Sequence, residues 1–377
     1  MDKMADVLGR AGAWCGQNKY LSAIKNAFQN FMPLTIAGAI GVLWCNVLVN
    51  DQTGLGLFFK PIMALDFLNP AFQAVNFCTI SCITVGITLG IAQEIGVWNM
   101  GAERAGYIPG LVGLAAWLSV TNTSHMVEGA KEAFTGIAGN ELGATGLFTG
   151  MIIGVLSVEL FCFFEKQDAL KIKMPEQVPP GVARAFEVLV PATITLIITA
   201  CIGSACYNLT GLYLNDVIKN GIQGPLGAVG ATIPGVMIIY LVIMLFWLVG
   251  IHGNNMLSAV KEALFTPLAL ENVEKFNKGE KPTNIINMYF LQMCGEFGGS
   301  GVTIGLVIAI MIFGKREDNK AIATLSLVPG LFNINETVTF GVPMVLNPIL
   351  GIPFVFACLV TILVGYVLTV IGLSLIH

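Results

Sequence analysis

Between Leu327 and Pro348 the chain reads LVPGLFNINETVTFGVPMVLNP. Pro329, Pro343 and Pro348 remove backbone donors and forbid one straight helix through the stretch. Phe332 on one side, with Phe340, Val342 and Met344 on the other, would suit a membrane interior, yet Asn333, Asn335 and Glu336 lie between them. A carboxylate at membrane depth is costly, so Glu336 is expected to face protein or a water-filled cavity. Non-helical backbone is tolerated at that depth only in the same places. The stretch therefore predicts a broken or re-entrant element carrying a polar site. The plainer alternative is an extramembrane loop with an incidental Glu, but such a loop has little use for this much Phe, Val and Leu.

The rest of the chain agrees with a membrane setting. Only 11% of its residues are charged, against roughly 25% in soluble domains, and the mean hydropathy is +0.78. Long apolar runs recur, so the expected class is all-α: a polytopic membrane protein with about nine to ten membrane segments, including broken or re-entrant hairpins. Predicted spans in the first half are Phe28–Val49, Ala71–Ala92, a short Tyr107–Val120, Thr145–Phe164 and Phe186–Ala205. Leu226–Trp247, Ile286–Phe313 and Ile349–Ile376 follow. No cleavable signal peptide is expected, because the first 26 residues are amphipathic and basic without a short apolar core. The 19 basic residues are scattered over short loops, which excludes a nucleic-acid surface. Most of the nine cysteines lie inside apolar runs. Cys78 and Cys82 share a helix face, but no His or carboxylate stands nearby in sequence to complete a site, so neither a metal nor a disulfide is expected.

Basic residues orient the chain. Lys3, Arg10, Lys19 and Lys25 crowd the start, and Lys166, Lys171, Lys173 and Arg184 occupy the linker Glu165–Ala185; the opposite loops hold only Lys60, Lys131 and Lys219. The bias predicts a cytoplasmic N-terminus and linker. In the second half, Lys275, Lys278 and Lys281 precede the Ile286–Phe313 run and Lys315, Arg316 and Lys320 follow it. One crossing cannot leave both clusters inside, and the denser KREDNK cluster is placed there. The expected division is residues 1–185 as an N-terminal membrane bundle and 186–377 as the region carrying the polar site. Gly146, Gly150 and Gly154 form a GxxxGxxxG ladder, with Gly86 and Gly90 as another pair, and these serve either a contact between protomers or packing within one chain. Gly250–Pro267, GIHGNNMLSAVKEALFTP, is too polar for a lipid-facing helix and makes a second broken polar segment in the same half.

Four blocks together resemble the membrane component, enzyme IIC, of bacterial sugar phosphotransferase systems, in the lactose/cellobiose/diacetylchitobiose branch. They are YLSAIKNAFQNFMPLTIAGAI at Tyr20–Ile40, WLVGIHGNN at Trp247–Asn255, GGSGVTIGL at Gly298–Leu306 and PGLFNINETVTFGVPMVLNP at Pro329–Pro348. The family pattern has Pro after the signature Glu where this chain has Thr337, and small or apolar residues after GIHG where it has Asn254 and Asn255. Members of the family also continue past the position of His377, through a Pro-Trp-Thr-x-Pro segment and a last membrane helix, which would supply a sugar-stacking aromatic.

The resemblance implies a multi-pass protein of the bacterial inner membrane with the cytoplasmic N-terminus predicted above, a homodimer built mainly on first-half helices and surrounded by lipid. It implies a disaccharide substrate such as cellobiose, diacetylchitobiose or lactose, and no cofactor. The sugar would enter from outside and be phosphorylated on the inside by a phosphocysteine of a separate IIB protein or domain, itself charged through IIA. Such a reaction needs an aligned hydroxyl, an acceptor for its proton and donors for the developing charge. Glu336 is the candidate base or orienter, with a pKa that burial would raise, and His252 its hydrogen-bonding partner. Asn333, Asn335, Asn254 and Asn255 are candidate sugar contacts, or satisfy the broken backbone. Trp247 is a stacking face or an interfacial anchor. Gly299 allows close backbone approach, and Ser300 and Thr303 offer hydroxyls. Two other readings stay open: a facilitator or ion-coupled sugar transporter without phosphorylation, and a sugar-sensing membrane protein without transport.

Overall fold

The computed structural model describes residues 6–374 except positions 8, 11–12, 15–16, 52–53, 126–133, 176, 332, 343 and 345–346. Lys3, Lys131, Phe332 and Pro343 of the sequence reading therefore lie outside the described residues. The chain forms two compact units, Lys19–Pro225 and a second built on Leu226–His377. Five helices are long and apolar enough to cross a membrane, and a bent pair, Leu214–Ala228 with Ile233–Leu248, adds a sixth as one broken span among the described residues. Ile108–Val120 and Thr303–Phe313 are shorter apolar helices.

The principal helices of the first unit are α1 (Lys19–Leu43), α2 (Asn69–Cys78), α3 (Ile83–Met100), α4 (Ala102–Ala105), α5 (Ile108–Val120), α6 (Ala144–Glu165) and α7 (Pro180–Thr210). α3 is its centre, packed against α1, α5 and α6. Ile83, Ile87, Ile91 and Ile95 recur every four residues along one face of α3 and are all buried. Its small residues seat the neighbours: a methyl added at Gly86 would stand 2.2 Å from the Phe31 ring of α1. On α6, a methyl at Gly150 would stand 2.2 Å from Thr88 Oγ1 of α3. The glycine ladder thus serves packing within the chain, where close backbone approach replaces side-chain bulk.

The sequence division at 185/186 differs from the structural one at 225/226. The reason is α7, which packs on α5 and α6 of the first unit. Its entry is tied by charge. Glu165, only 3% exposed, lies 2.8 Å from Arg104 and 2.9 Å from Arg184, and both arginines also reach Glu187 at 2.9 Å. In the linker, the Lys171 ammonium 3.1 Å away holds the Asp168 carboxyl below its ordinary range. A two-stranded antiparallel hairpin, β1 (Ser124–His125) with β2 (Phe134–Thr135), lies between α5 and α6.

The second unit contains α8 (Ile233–Leu248), α9 (Gly253–Met256), α10 (Ser258–Asn277), α11 (Met288–Gly295), α12 (Thr303–Phe313), α13 (Glu317–Leu331), α14 (Glu336–Gly341) and α15 (Pro348–Val370). Tyr240, Ile243, Met244, Trp247, Phe265, Phe290, Leu291, Val338, Phe354, Cys358 and Ile362 share one core. Two sequence expectations meet the structure here. The proline-rich stretch is broken as predicted: α13 ends at Leu331, α14 is a short helix, and Pro348 opens α15. The Ile286–Phe313 run, expected as one span, is also broken, into α11 and α12. Gly298, Gly299, Gly301 and Val302 between them all adopt positive φ, a conformation incompatible with a continuing helix.

Candidate functional site

The site lies within the second unit, where three chain breaks converge. The first follows α8. Gly250 turns the chain at φ +81°, and Gly253 lets α9 fold back closely, since a methyl there would stand 2.0 Å from the Ile243 carbonyl oxygen. His252 caps α9. Its Nδ1 accepts a hydrogen bond from the Asn255 backbone N–H at 3.2 Å. The neutral ring consequently carries its proton on Nε2. That nitrogen faces Glu336 Oε1 at 3.3 Å.

The second break is the turn Glu296–Val302. Its backbone has few ordinary partners, and side chains supply them. The Gly298 N–H donates to Asn333 Oδ1 at 2.8 Å, and Asn335 Nδ2 donates to the Ser300 carbonyl at 2.8 Å. Asn254 Nδ2 donates to Ser300 Oγ at 3.0 Å, and Thr303 Oγ1 donates to the Gly298 carbonyl at 2.6 Å. The Gly299 N–H donates to the Glu296 carbonyl at 2.7 Å. Val302, β-branched and at φ +53°, holds a conformation that costs about 1–3 kcal/mol and persists only where its surroundings enforce it.

The third break is the α13–α14 junction. Asn333 adopts φ +61°, which Asn tolerates better than other side-chain-bearing residues. Asn335 is buried and precedes Glu336, the first residue of α14. The two asparagines therefore hold the glycine turn while placing Glu336 opposite His252.

Geometry sorts the predicted residues. Glu336 and His252 come together, with side chains 44% and 34% exposed. The sequence expects the carboxylate to face protein or a water-filled cavity; here α14 starts at Glu336 and leaves its side chain partly open at the edge of the core. Trp247 is corrected. It is 1% exposed, lies against His252 in a tilted arrangement with ring centroids 4.4 Å apart, and meets Phe340 at 6.3 Å. It offers no open face to a pyranose and instead supports the imidazole. Asn333, Asn335 and Thr303 bond backbone groups and the Ser300 hydroxyl accepts from Asn254, the blander of the roles set out for the asparagines. Asn255 contributes its backbone N–H to His252. Gly299 has no open space beside it: an added methyl would clash with the Asn335 side chain, 2.5 Å from its Cβ. Buried polar atoms without a partner among the described residues include Asn254 Oδ1 and Trp247 Nε1.

Three residues were missed by sequence reasoning. Glu296 pairs with Lys261 of α10, their side chains 13% and 7% exposed, and Tyr240 of α8 donates its hydroxyl to Glu296 Oε1 at 2.7 Å. Removing one partner of such a buried pair costs about 3–5 kcal/mol. The signal was present: Glu296 is a carboxylate inside an apolar run, the same anomaly that singles out Glu336.

A family model described as "Phosphotransferase system, EIIC" matches residues 25–358. The oligo-beta-mannoside-specific EIIC component of Bacillus subtilis (strain 168) is 32% identical over 376 residues, covering 99% of this chain and 82% of the relative. The lactose-specific EIICB component of Staphylococcus aureus (strain COL) is 32% identical over 358 residues, covering 92% of this chain and 58% of the relative. The crystal structure of ChbC, the IIC component from the N,N'-diacetylchitobiose-specific phosphotransferase system, superposes with a TM-score of 0.86 at 29% identity, covering 96% of this chain and 83% of that one.

Proposed function

The chain belongs to the EIIC family of phosphotransferase-system sugar permeases, and from that premise we propose that it binds a β-linked disaccharide, carries it inward and presents it to a phosphorylated IIB. The observation that carries this reading is the Glu336–His252 pair, 3.3 Å apart and partly open, assembled from two separate chain breaks. A relative whose name joins IIC and IIB in one component supports the choice of partner.

In this mechanism a sugar hydroxyl oxygen attacks phosphorus, the S–P bond of the IIB phosphocysteine breaks, and the cysteine leaves as thiolate. Glu336 accepts or orients the hydroxyl proton. His252, with its proton on Nε2, donates to the carboxylate and fixes which lone pairs remain for the sugar. The glycine turn holds both groups in register, so binding energy need not be spent on arranging them.

The test uses vesicles containing the full chain and a panel of radiolabelled disaccharides, with and without phosphorylated IIB. Sugar phosphate should accumulate inside only when phosphorylated IIB is supplied. Equal uptake of unmodified sugar without IIB would replace this reading with facilitated or ion-coupled transport, and sugar binding with no uptake under either condition would favour a sensor.

The proposal requires the Glu165–Ala185 linker to be cytoplasmic, on the side where IIB acts. The basic residues concentrated there support that placement. Gln177 in the linker is exposed. A Gln177→Cys variant, in a background lacking other reactive cysteines, should resist an impermeant maleimide in intact cells and react after permeabilisation. Rapid labelling of intact cells would reverse the topology.

A further inference from the structure

We propose that Glu296, held by Lys261 and Tyr240, is a positioning residue that sets the Glu336–His252 pair through the glycine turn; the proposal rests on the reading of Glu336 as the group that acts on the sugar hydroxyl. The turn 296–302 reads EFGGSGV, and Glu296 is its one charged residue. Every other fixing contact of the turn named above is a neutral hydrogen bond. Three glycines and a strained valine cannot hold such a shape by themselves, because glycine gives up the most conformational freedom on ordering.

The anchor is at the turn's first residue. The Glu296 carboxylate accepts from the Tyr240 hydroxyl at 2.7 Å and pairs with the Lys261 ammonium, while its own carbonyl accepts the Gly299 N–H at 2.7 Å. Tyr240 is 1% exposed and belongs to the core, so the carboxylate is tied to a rigid helix rather than to solvent. Hydrogen bonds to a charged group are shorter and stronger than neutral ones.

From that anchor, two routes reach the reactive pair. Gly298 and Ser300 bond Asn333 and Asn335, and Glu336 follows Asn335 directly. Ser300 Oγ bonds Asn254, two residues beyond His252. A shift of the turn therefore moves both partners at once. None of the three anchoring side chains is among the residues placed at the sugar.

Full-length variants in vesicles with phosphorylated IIB test this, reading KM for sugar, maximal phosphorylation rate and the unfolding midpoint. Tyr240→Phe removes one hydrogen bond and keeps the ion pair. The maximal rate should fall about tenfold, the loss of one hydrogen bond to a charged acceptor, with KM within about threefold of the parent. Lys261→Met with Glu296→Gln together leaves no unpaired buried charge. That double variant should recover most of the stability lost in Lys261→Met alone while its maximal rate stays low. Recovery of rate along with stability would make the pair purely structural and overturn the proposal, as would parental rates in Tyr240→Phe. Glu336→Gln measured in parallel separates the two claims: if it phosphorylates sugar at the parental rate, the reading of Glu336 fails whatever the anchor variants do.

Discussion

Glu336→Gln is expected to slow phosphorylation of bound sugar by about 10²–10⁴-fold, the range typical for loss of a general base, while sugar affinity changes little. Glutamine keeps the size of the side chain and an oxygen to accept from His252 Nε2, which stands 3.3 Å from Oε1 in the parent. It loses the ability to take a proton. His252→Ala makes the opposite change: Glu336 remains, but its donor and the ring packed against Trp247 are gone. Weaker sugar binding by roughly 1–3 kcal/mol is expected there, from a polar partner left unsatisfied. Calorimetry for affinity and a IIB-dependent phosphorylation assay for rate distinguish the two. A parental rate in Glu336→Gln would reduce Glu336 to a binding contact, and parental behaviour of both variants would move the site elsewhere.

Gly299→Ala is expected to cost about 10² in maximal phosphorylation rate, the loss that a displacement near 1 Å produces at a positioned reacting group. Two features combine. Gly299 adopts φ +96°, and an added methyl would stand 2.5 Å from Asn335 Cβ and 2.6 Å from its Cγ. Either the turn or Asn335 must move, and Glu336 is attached to Asn335. Gly305→Ala is the control, because nothing lies within 4 Å of the added methyl and the position is helical. A Gly299→Ala rate equal to that of Gly305→Ala, in equally stable protein, would show that the turn does not set the site.

The break at Leu327–Pro348 was legible because proline and a carboxylate each conflict with an apolar helix, and the conflict is local. The partnership of Glu336 with His252 came from the resemblance of two short blocks that lie far apart in the chain. The break at Glu296–Val302 was harder to read, since glycine is common in membrane helices and its positive φ leaves no trace in composition. Asn333, Asn335 and Ser300 show a further limit. Their side chains suit a sugar and an orphaned backbone equally well, and only the fold reveals which atoms are already spoken for. Trp247 was misread for a related reason: an aromatic at a helix end can face outward or inward, and here the GIHG turn folds over it. α7 follows directly on a basic linker and holds its Arg184, which suggested a boundary, but its packing on α5 and α6 depends on faces distant in sequence.

Lys261 and Glu296 also constrain the order in which the chain can mature. The lysine leaves the ribosome 35 residues before its carboxylate partner, an interval of roughly 2–7 seconds at ordinary rates of synthesis. Throughout that interval an ammonium destined for the interior has water as its best company. α10 is thus bound to wait in a hydrated setting until α11 and the glycine turn emerge, and the two helices settle together as one hairpin. The pair that steadies the finished site makes its last half a late and concerted step in biogenesis.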